Sequence, residues 1–436
     1  MSVQGPVQLA DPAEPHFGRN LALAAPVDLV WGFGSAFVAL GPIITICLLR
    51  LGASNLLIAL APAMQTVGFS LLQLPSTHLT RRARLKKYIF VAFHLCALFW
   101  TLGGVLTLVW GQAQPRVLIW VLPLIVGLFS AGVSLAIPLW TQLLPRCFPE
   151  RRKGMVSGVL LFGAGLGGMA GGLVARWALG RWPFPQNFAY LFLAAGVIMA
   201  ASVLPYLFMY ETAPEGAGEE EERGLGGIIR HLWREDHRLR RLVTVRYVSE
   251  FGGVGAAFLA VYALARFELP DSTAGAFALA LSLGTAVGAP LLGRVGDGRG
   301  WRRGMAWGML CVAGSFALTL GAWRPEVIYG VFVLAGIAGA ADWMCYVNLL
   351  VEMSTDDRRA YYQATAATLT LPPRLVAPFV WGWLGDTVGL RPVLWACLGL
   401  MVLGWVLLLA LVDDPRRPGQ RVLRRSGLRP PWFTWH

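Results

Sequence analysis

Continuous apolar runs, separated by short polar and basic turns, recur twelve times along this chain of 436 residues. We place them at 27–50, 55–75, 88–110, 116–143, 154–178, 186–209, 243–266, 272–293, 304–323, 326–350, 361–385 and 390–412. Most are near the roughly 20 residues that an α-helix needs to cross a hydrocarbon core about 30 Å thick. In lipid the backbone polar groups find no water, so a spanning chain forms helices or a closed barrel. A barrel would alternate apolar and polar positions in segments of about 10 residues. These runs are continuously apolar and twice as long, so the pattern predicts an all-α polytopic membrane protein. A charge-rich stretch from Glu211 to Arg241 divides them six and six. The expected organisation is a tail at 1–26, a six-helix bundle at 27–210, a linker at 211–242, a second bundle at 243–412 and a basic tail at 413–436.

Composition agrees with this pattern: 56% of residues are apolar and 14% charged, against about a quarter charged in soluble proteins. The net charge of +13 sits in the turns, where basic residues orient a membrane protein, so no nucleic acid partner is expected. Arg81, Arg82, Arg84, Lys86 and Lys87 follow helix 2; Arg146, Arg151, Arg152 and Lys153 follow helix 4; Arg294, Arg299, Arg302 and Arg303 follow helix 8. The alternate turns carry about one basic residue each. The positive-inside rule therefore places both termini and the linker in the cytoplasm, with the chain multi-pass in the cell (inner) membrane. Residues 224–243 read either as an amphipathic helix on the membrane surface or as a solvated tether. The six cysteines show neither metal spacing nor a disulfide framework. The first 25 residues lack the plan of a cleaved signal peptide.

The chain also repeats itself. Glu150-Arg151-Arg152 before helix 5 is echoed by Asp357-Arg358-Arg359 before helix 11. Gly293-x3-Asp297-x2-Gly300-x-Arg302 recurs as Gly382-x3-Asp386-x2-Gly389-x-Arg391, about three helices further on. Six-helix halves made of related three-helix units follow the repeat logic of secondary transporters.

At these motifs the chain resembles the major facilitator superfamily, and in particular its drug:proton antiporters. The resemblance implies twelve transmembrane helices in two pseudo-symmetric six-helix bundles. The loop after helix 8 is similar to the family's gating loop through Gly293, Asp297, Gly300, Arg302 and Arg303. In the family this loop forms a breakable inner latch. The loop after helix 2 is degenerate: His78, Arg82 and Leu85 replace its Gly, Asp and Gly, and Lys86-Lys87 remain. Helix 5 is similar to the antiporter motif through Gly154, Gly163, Gly167, Gly171 and Gly172, with Gly168 in place of its proline. The resemblance implies that helix 5 meets helix 8, where Gly284 and Gly288 offer a small face for close packing.

Charges inside a membrane face a partner or a wet cavity. Arg374 follows Pro372-Pro373 in helix 11, where a kink is expected; its partner is either a carboxylate or an anionic substrate. Glu250 in helix 7 and Asp342 in helix 10 are the proton-coupling candidates. Arg246 lies one turn before Glu250, and the pair reads alternatively as mutual neutralisation near the headgroups. The resemblance implies that helices 1, 4, 7 and 10 line a central cavity, to which Trp31, Trp140, Trp343, Tyr346 and Asn348 are candidate contributors. No Walker loop, His-rich cluster or nucleophile–base constellation is present in the sequence. The expectation is a non-enzyme without cofactor or metal.

The sequence thus points to a secondary transporter working by alternating access, exporting an amphipathic small molecule as a proton enters. Two alternatives stay open: a proton symporter that takes up a small organic anion gripped by Arg374, and a membrane-embedded lipid-handling protein or enzyme. Expected partners are the substrate, protons and the bilayer. The resemblance implies a monomer.

Overall fold

The computed structural model describes residues 13–71, 85–149, 152–212, 236–354 and 359–413, with Arg230, Trp233 and Arg234 between them. Among these residues every regular element is a helix. Twelve helical passes follow in order: α1 (Glu14–Arg50), α2 (Asn55–Leu71), α3 (Lys86–Ala113), α4 (Pro115–Cys147), α5 (Lys153–Arg181), α6 (Gln186–Phe208), α7 (His237–Phe267), α8 (Thr273–Arg299), α9 (Trp301–Gly321), α10 (Glu326–Met353), α11 (Arg359–Leu369 and Leu371–Thr387) and α12 (Leu390–Leu411). The first six pack as one bundle, in which α1 lies on α5, α2 on α4 and α3 on α6. The last six form the second, with α8 and α9 on α10, and α7 and α9 on α12. The bundles meet where α5 crosses α8 and α2 crosses α11.

Several helices outrun their apolar cores. The N-terminal tail was expected through residue 26, yet helix runs from Glu14, and α7 begins at His237 rather than 243. Polar anchors explain both extensions. Asn20 donates to the carbonyls of Cys147 (2.8 Å) and Tyr210 (2.9 Å). Asp236 caps α7 by accepting from the N–H groups of Arg238 (2.8 Å) and Leu239 (3.0 Å), which satisfies otherwise orphaned donors. Residues 224–229, 231, 232 and 235 of the expected amphipathic segment at 224–243 lie outside the described residues; the part from His237 onward belongs to α7. The degenerate loop after helix 2 is outside them up to Arg84. Glu211, at the head of the linker, caps α3 through the N–H groups of Lys86 (2.9 Å) and Lys87 (3.1 Å) and pairs with Arg146 (3.1 Å).

The glycines of α5 form two packing stripes. A Cβ on Gly167 would stand 1.8 Å from the carbonyl oxygen of Leu29, and one on Gly171 would stand 2.3 Å from that of Phe33, so this stripe needs glycine to seat α1. Gly163 continues it, 3.5 Å from the Ala25 carbonyl oxygen. The other stripe crosses between bundles: Cβ atoms on Gly168 and Gly172 would meet Ser282 and Leu279 of α8 at 2.6 Å each. The expected contribution of Gly284 and Gly288 to this crossing is corrected. Both face α10, at Val333 and Ile337, and α8 shows α5 its Gly275, Leu279, Ser282 and Ala286 instead.

Of the expected gating-loop motif after helix 8, most residues lie in the helices that flank the turn. Gly293 and Asp297 lie within α8, while Arg302 and Arg303 lie within α9. Only Gly300 turns between them, at φ 95°, a backbone conformation that glycine adopts without steric cost. Its echo Gly389 turns between α11 and α12 at φ 87°. Before that turn, Asp386 reaches into the other bundle and accepts from the N–H groups of Asn55 (2.7 Å) and Leu56 (3.0 Å), capping the start of α2. Arg50 at the end of α1 pairs with Asp271 before α8 at 2.5 Å. These contacts join the bundles at the end of the molecule opposite the start of α1 and the finish of α12.

Candidate functional site

Three helices of the second bundle bring four charged side chains together. α7 is regular from His237 to Gly253, tightens to a 3-10 turn over Val254–Phe258, then resumes at Leu259. Arg246 and Glu250 lie one turn apart just before that change. α10 runs unbroken and carries Asp342 and Tyr346. α11 stops at Leu369 and restarts at Leu371, with Pro372 and Pro373 in the new first turn, where proline is tolerated. The restart replaces the expected kink. The hydroxyl of Thr370 donates to the Ala366 carbonyl at 2.8 Å across the break, and Arg374 projects from the new helix.

The four charges form a closed ring. Arg246 donates through Nη1 to Oδ1 of Asp342 at 2.5 Å and through Nη2 to Oε1 of Glu250. Arg374 Nη2 donates to the same Glu250 oxygen at 2.5 Å and stands 3.8 Å from Oδ2 of Asp342. The Arg246 guanidinium also lies over the Tyr346 ring, 4.2 Å from its centroid, which adds a cation–π attraction. Exposure is graded across the ring: the Arg246 side chain is 6% exposed, Glu250 16%, Arg374 35% and Asp342 50%. Two arginines and two carboxylates cancel, which makes so many charges tolerable in one apolar bundle. Protonating either carboxylate leaves one positive charge in excess and weakens the hold on an arginine.

Of the residues singled out in the sequence, Glu250, Asp342, Arg374 and Tyr346 converge here. Glu250 lies near the middle of α7 (His237–Phe267). Asn348 stays on its own helix, donating to the Met344 carbonyl at 2.8 Å. Trp343 is 64% exposed. Trp31 and Trp140 belong to the first bundle. Trp31 lies edge-on to His94 at 5.1 Å, and Trp140 packs against Phe90 and Tyr206 at 5.6 and 5.8 Å. Asp28 accepts from the Tyr206 hydroxyl at 3.3 Å beside them. The member that sequence reasoning left out of the site is Arg246, the most buried of the ring. Its i, i+4 spacing to Glu250 was the available signal.

A break in α1 faces the break in α7. α1 loosens at Phe37–Ala39 and passes through a π-turn at Leu40–Ile44 that touches the Val254–Phe258 turn across the bundle interface. Interrupted helices at corresponding places in two halves mark the moving parts of transporters. The ring therefore sits one turn from a point where the halves meet.

The family model of the Major Facilitator Superfamily matches residues 29–265 and 242–436. No curated protein sequence matches the chain. Among solved structures it is similar to a mutant of the nucleoside transporter NupG, at TM-score 0.68 and 11% identity over 91% of this chain and 99% of that one. It is also similar to a D-xylose-proton symporter, at TM-score 0.65 and 15% identity over 91% and 98%. A bacterial homologue of the human lysosomal transporter Spinster, inward-facing and unoccupied, matches at TM-score 0.64 and 13% identity over 93% and 98%. At these identities the likeness is one of fold. With a family match in both bundles and twelve helices arranged as in these structures, the chain belongs to the Major Facilitator Superfamily and is a secondary membrane transporter.

Proposed function

We propose that this transporter exports a small amphipathic molecule in exchange for protons, and that Glu250 and Asp342 carry the proton. The observation that carries the reading is the neutral four-charge ring next to the α7 break. A proton arriving on Glu250 loosens Arg374 and α11, while Arg246 remains held by Asp342. Ligand and proton then shift the balance between states by binding one state better than the other. Export is supported by the α5 glycines, which follow the antiporter pattern and seat α5 on both α1 and α8. We place both termini in the cytoplasm, by the basic residues of the turns, in the cell (inner) membrane of a monomer.

One observation favours a second reading. Arg374 is the more exposed arginine, at 35% against 6% for Arg246, as expected of a group that grips an organic anion entering with a proton. Proteoliposomes with an imposed pH gradient separate the two. Export predicts that an amphipathic substrate moves against the direction of proton flow, and that a protonophore abolishes its accumulation. Movement in the same direction as the proton, for a carboxylate substrate, would establish the second reading. Transport indifferent to the gradient would reject both.

A further inference from the structure

Beside the ring, the second bundle does not close on itself. A cavity of about 230 Å³ remains among α7, α9, α10 and α12. At roughly 30 Å³ per water, that is space for about seven waters, enough for a small organic molecule. It lies within one bundle, apart from the crossings between the two. Met305, Met309 and Met401 supply much of its apolar wall, with Arg246 and Asp342 at its polar end. Methionine is flexible and polarisable, so such a wall adapts to apolar guests of different shape. Gly253 and Gly339 also line the cavity, and a Cβ on Gly339 would meet nothing within 4 Å.

The polar end defines the guest's head. The Nε of Arg246 is buried with no partner among the described residues, and a buried donor left unmet is costly. A cationic head would stand against Arg246, and an anionic head would compete with Asp342 and Glu250 for arginines they already hold. We infer that this cavity is a subsite for a small uncharged amphipathic molecule, with its apolar body among the methionines and a hydroxyl or carbonyl group at the Arg246–Asp342 end. That the guest is transported cargo rests on the function proposed above; its binding is measurable without transport.

The test uses the full chain in lipid nanodiscs with ¹³C-methyl methionine, titrated with 1-octanol, octanoate or octyltrimethylammonium and followed by NMR. We expect 1-octanol to shift the Met305, Met309 and Met401 signals saturably. Met155, which is 54% exposed, should report only partition into lipid. The two charged probes should bind at least tenfold more weakly. Gly339→Leu fills the open space and should abolish the saturable shift, and Gly253→Val serves as a second filling variant. The inference is overturned if the three signals follow Met155, if both filled variants respond like the parent, or if a charged probe binds as tightly as the alcohol. Saturable shifts without proton-driven flux would sink the transport reading and leave the subsite standing. Flux without the shifts would remove the subsite alone.

Discussion

Removing one arginine from a ring of four charges leaves a carboxylate in an apolar bundle without its counter-ion. Breaking a buried pair in this way costs about 3–5 kcal/mol, whereas replacing both partners by apolar groups is near neutral. Arg246→Met should therefore lower the melting temperature sharply, and adding Asp342→Leu should restore much of it without restoring coupled transport. Equal destabilisation by the single and double variants would show that Arg246 acts by packing alone. Glu250, Asp342 and Arg374 were legible in the sequence because charges are rare in apolar runs. Arg246 enters the sequence reading only as the neighbour of Glu250, with neutralisation near the headgroups as the alternative, because the apolar run begins at 243. His237, Arg238, Arg240 and Arg241 depress hydropathy there, yet the chain is helical from His237, held by the Asp236 cap. Trp31 and Trp140 illustrate the opposite limit. Tryptophan is common in this chain, and nothing local in the sequence separates a ring that packs in a bundle from one that faces a cavity.

Among the elements, the turn between α11 and α12 shows what a repeat does and does not reveal. Its glycine and aspartate spacing was visible, and Gly300 and Gly389 turn with the same left-handed φ. The role of Asp386 was not visible, because its partners Asn55 and Leu56 lie more than 300 residues away in sequence. A side chain capping a helix start contributes about 1 kcal/mol, and 1–2 kcal/mol changes a two-state ratio roughly 5–30-fold. Asp386→Ala should therefore raise the population open at this end several-fold. Pulsed dipolar spectroscopy between spin labels in the α1–α2 and α11–α12 turns would show it as a longer distance component. An unchanged distance distribution would mean that Arg50–Asp271 and the helix crossings hold this end shut without the cap. The breaks in α1 and α7 were not anticipated. Gly41-Pro42 hints at the first, but Val254–Phe258 contains no proline, and its 3-10 turn packs against α1, α11 and α12.

For the whole molecule, hydropathy periodicity was enough to assign the class, the count of passes and their division into halves, because lipid forces each run to satisfy its own backbone. It did not show which helices cross between halves, since that depends on glycine faces meeting in three dimensions. α5 proved to carry two such faces, and α8 turned Gly284 and Gly288 toward α10 while Gly275 met α5. Among the described residues, Arg50–Asp271 and Asp386 on α2 link the bundles at one end. In the proposed cycle these links break while the ring on α7, α10 and α11 changes its charge.

The central claim is that this ring carries the coupled proton. The most direct measurement compares the wild type with Glu250→Gln in proteoliposomes, recording substrate exchange at equal pH and accumulation under a pH gradient in the same preparation. Glutamine can still accept a hydrogen bond from each arginine, but it does not titrate. The account predicts that exchange persists in the variant while gradient-driven accumulation falls to the level of empty vesicles. Gradient-driven accumulation retained in Glu250→Gln, and again in Asp342→Asn, would place the proton elsewhere and contradict the account.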